Sequence, residues 1–305
     1  MKKIAALILA LSLVLCLCAC GSSSASDASD DSFTTLEAGK LTISTSPDFP
    51  PYEYYADDGV TIVGIEPEIM ALIADKLGLE LVLDAMDFDS ALLAVQQGKS
   101  DMVVSGVTVT EDRKLVMDFT DSYTTAKQVI VVPEGSDVTL DTLGDYRIGT
   151  QRGTTGFLYT TDDYGEDHVI GYDSYTLVFQ ALQNGQVDCI VLDDAVGEAY
   201  VAELSGLEIL DTAYALEDYA FGVAKDNTAL TEAVNAALNE LMADGTVQSI
   251  IDSYIGATPE TFTYEGKEYT PETFAASLGI DWNDYVSITS YTHHPFYTAF
   301  AVEVQ

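Results

Sequence analysis

Histidine and cysteine, which commonly perform catalysis or bind metals, are few in this chain and do not form motifs. The only histidines are His168, His293 and His294. The adjacent pair His293 and His294 favours a surface turn over a metal site, because the third histidine is distant in the sequence. No Ser/His or Cys/His pattern is visible. The sequence therefore predicts no nucleophilic catalysis, no metal and no cofactor.

An arginine has the more informative context. Arg113 is one of three arginines in 305 residues, and it follows a strand-like run and several small hydroxylated residues in SGVTVTEDRK, residues 105–114. A planar guanidinium binds a carboxylate through paired hydrogen bonds, aided by neutral donors at a strand end or helix N-terminus. The alternative is a solvated ion pair with Glu111, Asp112 or Asp118, which would contribute little stability.

The composition excludes one class of partner. The chain has 12 Lys+Arg against 50 Asp+Glu, a formal charge of -38. Nucleic-acid binding needs clustered cations that neutralise phosphates, so no nucleic acid is expected as a partner. At 48% hydrophobic and 10% aromatic residues the chain is too apolar for an acidic disordered tail. Its length suits about two domains with an acidic, solvated surface.

Residues 1–19 have the pattern of an export signal. Lys2 and Lys3 precede an apolar stretch over residues 4–17, which is short for a membrane span. The stretch ends in LCACG and resembles a bacterial lipoprotein signal, in which Cys20 would be lipidated after cleavage. The alternative is an ordinary secretory signal that is cleaved nearby.

Residues 20–39 are predicted to be a flexible membrane tether. Residues 21–32 are polar and of low complexity, so they cannot bury enough apolar surface to fold, and the globular body is expected near Lys40. Cleavage before Cys20 would leave Cys189 as the only unmodified cysteine, which excludes an intramolecular disulfide. Its apolar surroundings, DCIVLD, favour a buried structural thiol over a nucleophile.

From residue 40 onward, strand-like and helical patterns alternate. The first half has strand patterns at 41–46, 79–83 and 101–105 and helical spacing at 67–77 and 88–97. The pattern recurs at 146–150, 175–184, 188–193 and about 194–204. The alternation predicts two α/β lobes with largely parallel sheets and a cleft beyond the carboxyl ends of their strands.

Six pieces of the chain form an ordered set: residues 46–54, 64–78, 86–101, 105–123, 149–156 and 242–254. In this order they resemble the bacterial extracellular solute-binding proteins of family 3, the glutamine- and histidine-binding type of amino-acid ABC importers. The resemblance implies an α/β, two-lobe periplasmic-binding-protein (type II) fold with a two-strand hinge, here with a C-terminal extension.

The implied domains follow the two crossings of the chain. Lobe 1 would comprise residues 40–131 and 220–256, and lobe 2 residues 132–219. The crossings are expected near 131–133 and 219–223. Residues 257–305 lie beyond the resemblance and have no assigned role; they contain TPETF twice, and each copy is a good helix start.

The resemblance also implies a site for a free amino acid. Arg113 would clamp the α-carboxylate, and Asp193 would bind the α-amino group, while Asp194 would cap the following helix. Backbone and hydroxyl groups of three further residues would surround the carboxylate end: Ser105, Gly106 and Thr108.

Aromatic and hydroxylated residues would complete the walls. Phe49 and Phe88 match family positions that sandwich the ligand, and Tyr52 stands close by, with core packing as the alternative for all three. Thr154 and Thr155 would contact the ligand from lobe 2.

Two departures bear on specificity. A glutamine-type binder has an acid where this chain has Ser46 and a lysine where it has Gln151. Both changes remove charge from the side-chain end of the pocket, which predicts a polar uncharged or small amino acid. Arg152 would reverse this inference if it pointed inward.

The implied protein is an exported, lipid-anchored monomer that delivers an amino acid to an ABC transporter permease. One alternative is a cyclohexadienyl or prephenate dehydratase-like enzyme on the same fold, with Asp193, Glu53 or Asp48 as general acid or base. The other is the sensor module of a membrane kinase, which lacks support because no second membrane span or signalling domain is visible.

Overall fold

The computed structural model describes residues 33–210 and 212–256, together with the backbone of Phe262–Tyr264 and Lys267–Tyr269. The predicted signal, Cys20, His293 and His294 lie outside the described residues.

The globular body begins earlier than predicted. The Phe33 side chain packs against the main core, and the backbone N–H of Leu36 donates to Asp101 Oδ1 at 2.7 Å. Asn227 Nδ2 also donates to the carbonyl oxygen of Thr34 at 3.1 Å. Residues 33–39, which the sequence assigned to the tether, therefore contact the body.

The first sheet has the strand order β5-β1-β6-β14-β7. Its strands are β1 (Lys40–Thr45), β5 (Glu80–Ala85), β6 (Met102–Val103), β7 (Met117–Phe119) and β14 (Gly222–Ala224). β1 pairs in parallel with both β5 and β6, whereas β14 is antiparallel to its neighbours β6 and β7. The predicted parallel sheet is thus mixed, because a strand returning from the other lobe enters it in the opposite direction.

The second sheet has the order β10-β9-β11-β8-β12, with β13 also paired to β8. Its strands are β8 (Thr124–Pro133), β9 (Ile148–Gln151), β10 (Val169–Tyr172), β11 (Cys189–Asp193), β12 (Leu207–Ile209) and β13 (Ala215–Tyr219). β9 is parallel to β10 and β11, and β8 is antiparallel to its partners. All five residues of β11 are buried, as expected for a central strand covered on both faces.

The helices lie between these strands. They are α1 (Ile65–Leu77), α2 (Phe88–Gln96), α3 (Glu111–Val116), α4 (Thr155–Tyr164), α5 (Tyr175–Gln183), α6 (Asp194–Glu203), α7 (Thr228–Ala243) and α8 (Thr246–Ile255), with a 3-10 turn at Leu140–Asp145. A helix, a glycine and a strand follow one another in each lobe: Gly98 follows α2 and Gly185 follows α5, both at positive φ. Glycine allows this left-handed backbone, which stops each helix.

The chain crosses between the sheets at two places. The return lies between β13, which ends at Tyr219, and β14, which begins at Gly222, as predicted. The outward crossing lies between Phe119 and Thr124, because all of β8 pairs within the second sheet. The sequence placed this boundary at residue 131, since the apolar run of β8 carries no signal that says which sheet it joins.

Smaller elements complete the described fold. A three-stranded sheet of β2 (Asp48–Phe49), β3 (Glu53–Tyr55) and β4 (Ile62–Val63) follows β1. Beyond residue 256, β15 (Phe262–Tyr264) and β16 (Lys267–Tyr269) pair antiparallel. The two predicted helix starts, at residues 258–260 and 270–272, lie outside the described residues. Within the described ranges, no helix combines the length and apolar character needed to cross a bilayer.

Candidate functional site

A cavity between the two sheets brings together residues from both lobes. The lining residues are Ser46, Phe49, Phe88, Ser105, Gly106, Thr108, Arg113, Gln151, Thr154, Thr155 and Asp193. All eleven were predicted from the sequence as site residues, and the twelfth, Tyr52, is not part of the lining.

The strand directions explain this convergence. Ser46 follows β1, Ser105 follows β6, Gln151 ends β9 and Asp193 ends β11. Parallel strands present their carboxyl ends at one edge of a sheet, where loops can reach a common space. Each sheet therefore contributes two strand ends to the same cavity.

Arg113 is buried, with 7% of its surface exposed. Its Nη1 donates to the carbonyl oxygen of Thr108 at 2.7 Å, and its Nη2 donates to the carbonyl oxygen of Gly153 at 3.0 Å. The guanidinium carbon lies 5.5 Å from the centroid of the Phe88 ring. The Gly153 bond joins α3 of the first lobe to the loop after β9 in the second.

The surface ion pair considered for Arg113 is not formed. Among the described residues, Glu111 pairs with Lys114 and Asp118 with Lys225, and no salt bridge includes Arg113. Desolvation lowers the pKa of Arg113, and the Glu217 carboxylate opposes that shift. The guanidinium is therefore a buried cation whose direct protein partners are carbonyl oxygens, an arrangement that favours an anionic ligand.

Asp193 is the acidic counterpart on the second lobe. It is 4% exposed, and its Oδ1 accepts a hydrogen bond from the hydroxyl of Tyr219. Burial raises the pKa of Asp193 well above its ordinary value, and the nearby carboxylate of Glu217 raises it further. A cationic group in the cavity would stabilise the ionised form.

The predicted division of labour between the two aspartates is wrong in one respect. Asp193, not Asp194, occupies the N-cap position of α6, and its side chain makes no capping hydrogen bond. Asp194 lies in the first turn, where its Oδ1 accepts from the backbone N–H of Ala195 at 3.0 Å and its Oδ2 is 3.9 Å from Lys127 Nζ. Because the Asp193 side chain makes no capping hydrogen bond, it is available to line the cavity.

The Ser105 hydroxyl and the Gly106 N–H, which follow β6, form hydrogen bonds within the protein. Ser105 Oγ donates to Glu53 Oε1 at 2.7 Å and accepts from the backbone N–H of Ser46 at 3.0 Å. The backbone N–H of Gly106 donates to both carboxylate oxygens of Glu66 at 3.1 Å. Both residues line the cavity, but in this conformation the Ser105 hydroxyl and the Gly106 N–H donate to the two glutamates.

The aromatic wall is stacked on buried tyrosines. Phe49 lies 5.5 Å from Tyr52 and 5.8 Å from Tyr175 between ring centroids, both stacked. Tyr52 is 2% exposed and also meets Tyr219 edge-on at 5.2 Å, so the core-packing alternative describes it. Gly106 has φ 54°, and a Cβ there would lie 2.4 Å from Phe49 Cε1, so only glycine lets the ring approach this loop.

The loop after β9 forms the opposite wall. Thr154 Oγ1 donates to the carbonyl oxygen of Gln151 at 2.7 Å and accepts from the backbone N–H of Phe157 at 3.2 Å, which caps α4. Thr155, the first residue of α4, is 3% exposed. Arg152 pairs instead with Asp173 at the surface and does not line the cavity. The sequence left open whether Arg152 points into the cavity, and in the structure it does not.

Asp48, which the sequence named only as a possible general acid or base, makes contacts between the lobes that were not predicted. Its Oδ2 accepts from the backbone N–H of Tyr175 at 2.6 Å, and its Oδ1 accepts from Ser46 Oγ at 2.9 Å. Its carbonyl oxygen accepts from the hydroxyl of Tyr200 at 3.0 Å, and Gln151 Nε2 approaches the carboxylate at 3.4 Å. Burial raises the pKa of Asp48. These bonds join β2 of the first lobe to the second lobe.

Glu217 on β13 is a second residue that sequence reasoning missed. It is 3% exposed, and its Oε2 accepts from Thr108 Oγ1 at 3.1 Å and from Gln128 Nε2 at 2.9 Å. A single glutamate has no distinguishing pattern in a chain with 50 acidic residues. The only signal was its place just before the return crossing.

No group of three or more metal-ligating side chains occurs in the part of the chain that the structure describes. Cys189 is fully buried, and burial raises the pKa of its thiol to about 12. At neutral pH such a thiol is protonated and unreactive, as predicted from its apolar surroundings.

The raised pKa of Asp193 predicts an unusual stability effect. Asp193→Asn preserves the acceptor for Tyr219 and removes a charge that is costly to bury. The folded pKa lies above the unfolded one, so wild-type stability is full below the unfolded pKa and is lost as pH rises through the folded value. In urea unfolding at pH 7, we expect the free energy of unfolding of the variant to exceed that of wild type by at least about 1 kcal/mol. The difference should be smaller toward pH 4.

Asp188→Asn is the matched control near the start of the same strand. A hydrogen bond from Arg147 lowers the pKa of Asp188, so its stabilising contribution is present above the unfolded pKa and is lost as pH falls. Its loss at pH 7 should cost a few tenths to about 1 kcal/mol, because the pair is partly solvated. A destabilised Asp193→Asn at pH 7 would contradict the argument.

Comparison with known proteins gives a consistent result. Residues 41–257 match the family model of bacterial extracellular solute-binding proteins, family 3. The chain is 29% identical over 228 residues to ABC transporter arginine-binding protein 1 of Escherichia coli K12, covering 73% of this chain and 93% of that protein. It is 28% identical over 225 residues to the L-cystine-binding protein TcyJ of the same organism, covering 72% and 84%.

The solved structures agree. A structure described as an ancestral arginine-binding protein bound to glutamine is 36% identical, with a TM-score of 0.68, covering 72% of this chain and 99% of that one. Since the family consists of solute-binding proteins and the family model covers most of the chain, the dehydratase alternative is set aside. The chain belongs to the bacterial extracellular solute-binding proteins of family 3 and is a binding protein, not an enzyme.

Proposed function

We propose that the protein captures one free amino acid between its lobes as a monomer and delivers it to the permease of an ABC importer. The observation that carries the proposal is that Arg113 and Asp193, a buried cation and a buried carboxyl group, line one cavity from different sheets. A zwitterion has the complementary pair of charges.

The contacts of Arg113 support a carboxylate-binding role. Its two carbonyl hydrogen bonds orient the guanidinium, which has five N–H donors in a fixed fork and so retains donors for a ligand. Glu217 lies behind Thr108 and helps to keep the guanidinium charged. On the other lobe, the ammonium of the ligand would relieve the cost of ionising Asp193.

Closure of the lobes follows from the same contacts. The Arg113 bond to Gly153 and the Asp48 bond to Tyr175 both connect the lobes, so the described conformation is a closed one. A ligand that contacts Arg113 and Asp193 together gains both contacts only when the lobes are closed. Its differential affinity therefore shifts the population toward the closed form, which would be presented to the permease.

We infer further that the ligand is a polar uncharged or small amino acid. Ser46 and Gln151 are neutral, and the nearby carboxylate of Asp48 already accepts hydrogen bonds from Ser46, Gln151 and Tyr175. The buried acids Asp48 and Glu217 disfavour an acidic ligand. Relatives are named for arginine and cystine, and one ancestral relative was solved with glutamine, which supports an amino acid as the ligand class.

Replacing Arg113 tests the proposal. Arg113→Ala should weaken amino-acid binding at least about 100-fold, because a buried carboxylate would lose its charged partner. Arg152→Ala is the matched control, since Arg152 pairs with Asp173 outside the cavity, and its dissociation constant should stay within about twofold of wild type. Isothermal titration calorimetry measures both; a folded Arg113→Ala protein with wild-type affinity would refute the role of Arg113.

A panel of amino acids tests the ligand class. Calorimetry with glutamine, histidine, cystine, arginine, lysine and glutamate should give the tightest binding for a neutral member, with one ligand per chain. Glutamate should bind least well because of the buried acids. Tight binding of glutamate, arginine or lysine would overturn the neutral-ligand inference without affecting the amino-acid proposal.

The proposed lipid anchor has its own test. In the producing bacterium, wild-type protein should incorporate labelled fatty acid and fractionate with membranes, whereas Cys20→Ala should do neither. Cys189→Ala is the control, because that thiol is buried in the fold and its removal should leave fractionation unchanged. Membrane association of the Cys20→Ala protein equal to wild type would contradict the anchor.

A further inference from the structure

Two acidic side chains lie fully buried behind the cavity. Glu53 on β3 and Glu66 in the first turn of α1 both have 0% exposure. Neither lines the cavity, and neither was proposed as a ligand contact. Their burial requires an explanation, because an isolated buried carboxylate is very costly.

The pair contacts the loop that forms one cavity wall. Glu53 Oε1 accepts from Ser105 Oγ at 2.7 Å, and Glu66 accepts from the backbone N–H of Gly106 at 3.1 Å. Glu66 Oε1 also accepts from the hydroxyl of Tyr123 at 2.5 Å. Ser105 and Gly106, two consecutive residues of the wall, thus each donate a hydrogen bond to one member of the pair.

The hydrogen-bond inventory indicates where a proton sits. The two carboxyl groups are neighbours behind one loop, since Glu53 contacts Ser105 and Glu66 contacts the next residue, Gly106. Glu66 accepts hydrogen bonds from Tyr123 and Gly106, whereas Glu53 Oε2 is buried and has no hydrogen-bond partner among the described residues. A proton on Glu53 Oε2 that is shared with Glu66 satisfies this atom and removes one of two adjacent buried charges.

The surroundings supply no counter-charge. The titratable groups that face the pair are Asp48 on β2 and the hydroxyls of Tyr52 and Tyr123. Among the described residues, no lysine, arginine or histidine forms a salt bridge with Glu53 or Glu66. Burial and the Glu66 charge accordingly raise the pKa of Glu53 well above its ordinary value.

We propose that Glu53 is a neutral acid that donates its proton to the Glu66 carboxylate, and that this pair holds Ser105 and Gly106 in the position that shapes the cavity wall. The two residues are positioning residues that act through Ser105 and Gly106. The proton shared by Glu53 and Glu66 does not depend on the proposed function. Only the predicted effect on ligand affinity rests on that function.

The first experiment tests the proton. Glu53→Gln reproduces the neutral acid, because its amide donates to Glu66 and its oxygen accepts from Ser105. Wild-type stability contributed by protonated Glu53 is full below the unfolded pKa and is lost as pH rises through the folded pKa. The ratio of folding constants, variant over wild type, should therefore rise with pH between 5 and 8, by up to about tenfold per pH unit.

Glu80→Gln is the matched control for this series. Glu80 is exposed at the start of β5, so removing its charge should leave the ratio nearly independent of pH. A flat ratio for Glu53→Gln as well would overturn the shared proton. If Glu53→Gln does not fold, infrared spectroscopy of the Asp193→Asn protein, which lacks the other buried acid with a strongly raised pKa, must show a protonated-carboxyl band at neutral pH; its absence would overturn the inference.

The second experiment tests positioning by calorimetry with whichever of L-glutamine, L-histidine, L-cystine and L-arginine binds wild type tightest. Glu53→Gln should stay within about twofold of wild type. Glu66→Gln replaces a charged acceptor of the Gly106 N–H by a neutral one and should weaken binding about fivefold. If Glu66→Gln does not fold, Tyr123→Phe, which removes one donor to Glu66, should weaken binding about twofold or more.

The results distinguish the positioning role, the place of the proton and the proposed function. Wild-type affinity in a folded Glu66→Gln protein, or in Tyr123→Phe if that variant is needed, would overturn the positioning role. Equal losses in Glu53→Gln and Glu66→Gln would overturn the assignment of the proton to Glu53. No binding of any probe by wild type would instead reject the proposed function, while the pH series would still test the shared proton.

Discussion

The burial of a guanidinium between two lobes is the constraint on which the rest of the site depends. Arg113 retains 7% exposure and is held by one carbonyl oxygen from each side of the cleft. A buried cation is costly unless nearby groups compensate it, and Asp193 and Glu217 provide negative potential without forming a salt bridge to it. The protein's own hydrogen bonds therefore stabilise the cation, which under the proposed function would receive a carboxylate.

Acidic side chains have different physical roles at the surface of this protein and in its interior. Within the described ranges, most acidic side chains are at least partly exposed, and salt screens their charge. Asp193, Glu217, Glu53 and Glu66 are buried, so desolvation and neighbouring carboxylates govern their protonation. Asp193 lines the cavity and Glu217 contacts Thr108 of its lining, whereas Glu53 and Glu66 contact Ser105 and Gly106 from behind. A net charge of -38 therefore says little about the chemistry of the cavity.

Much of the fold was predictable, because the strand and helix patterns are local. β1, α1, α2, β11 and α6 were placed within about two residues, since apolar periodicity and glycine stops mark their ends. The first lobe boundary was wrong because β8 is equally apolar whichever sheet it joins, and pairing is a tertiary property. Eleven of the twelve candidate site residues line the cavity because their family positions follow the carboxyl ends of strands. Tyr52 does not, because its ring stacks on Phe49 from the core side.

The sequence by itself determined the alternation of strands and helices, the scarcity of cations, the place of Asp193 at the end of a strand and that of Arg113 shortly after one, since all of these are readable from residue type and spacing. Only the tertiary structure decided which acids matter. Asp48, Glu217 and the Glu53–Glu66 pair have no local signature, and their roles arise because folding removes water from them and brings them within hydrogen-bonding distance of residues far away in the chain. Desolvation depends on the whole packed environment, which no stretch of sequence encodes alone.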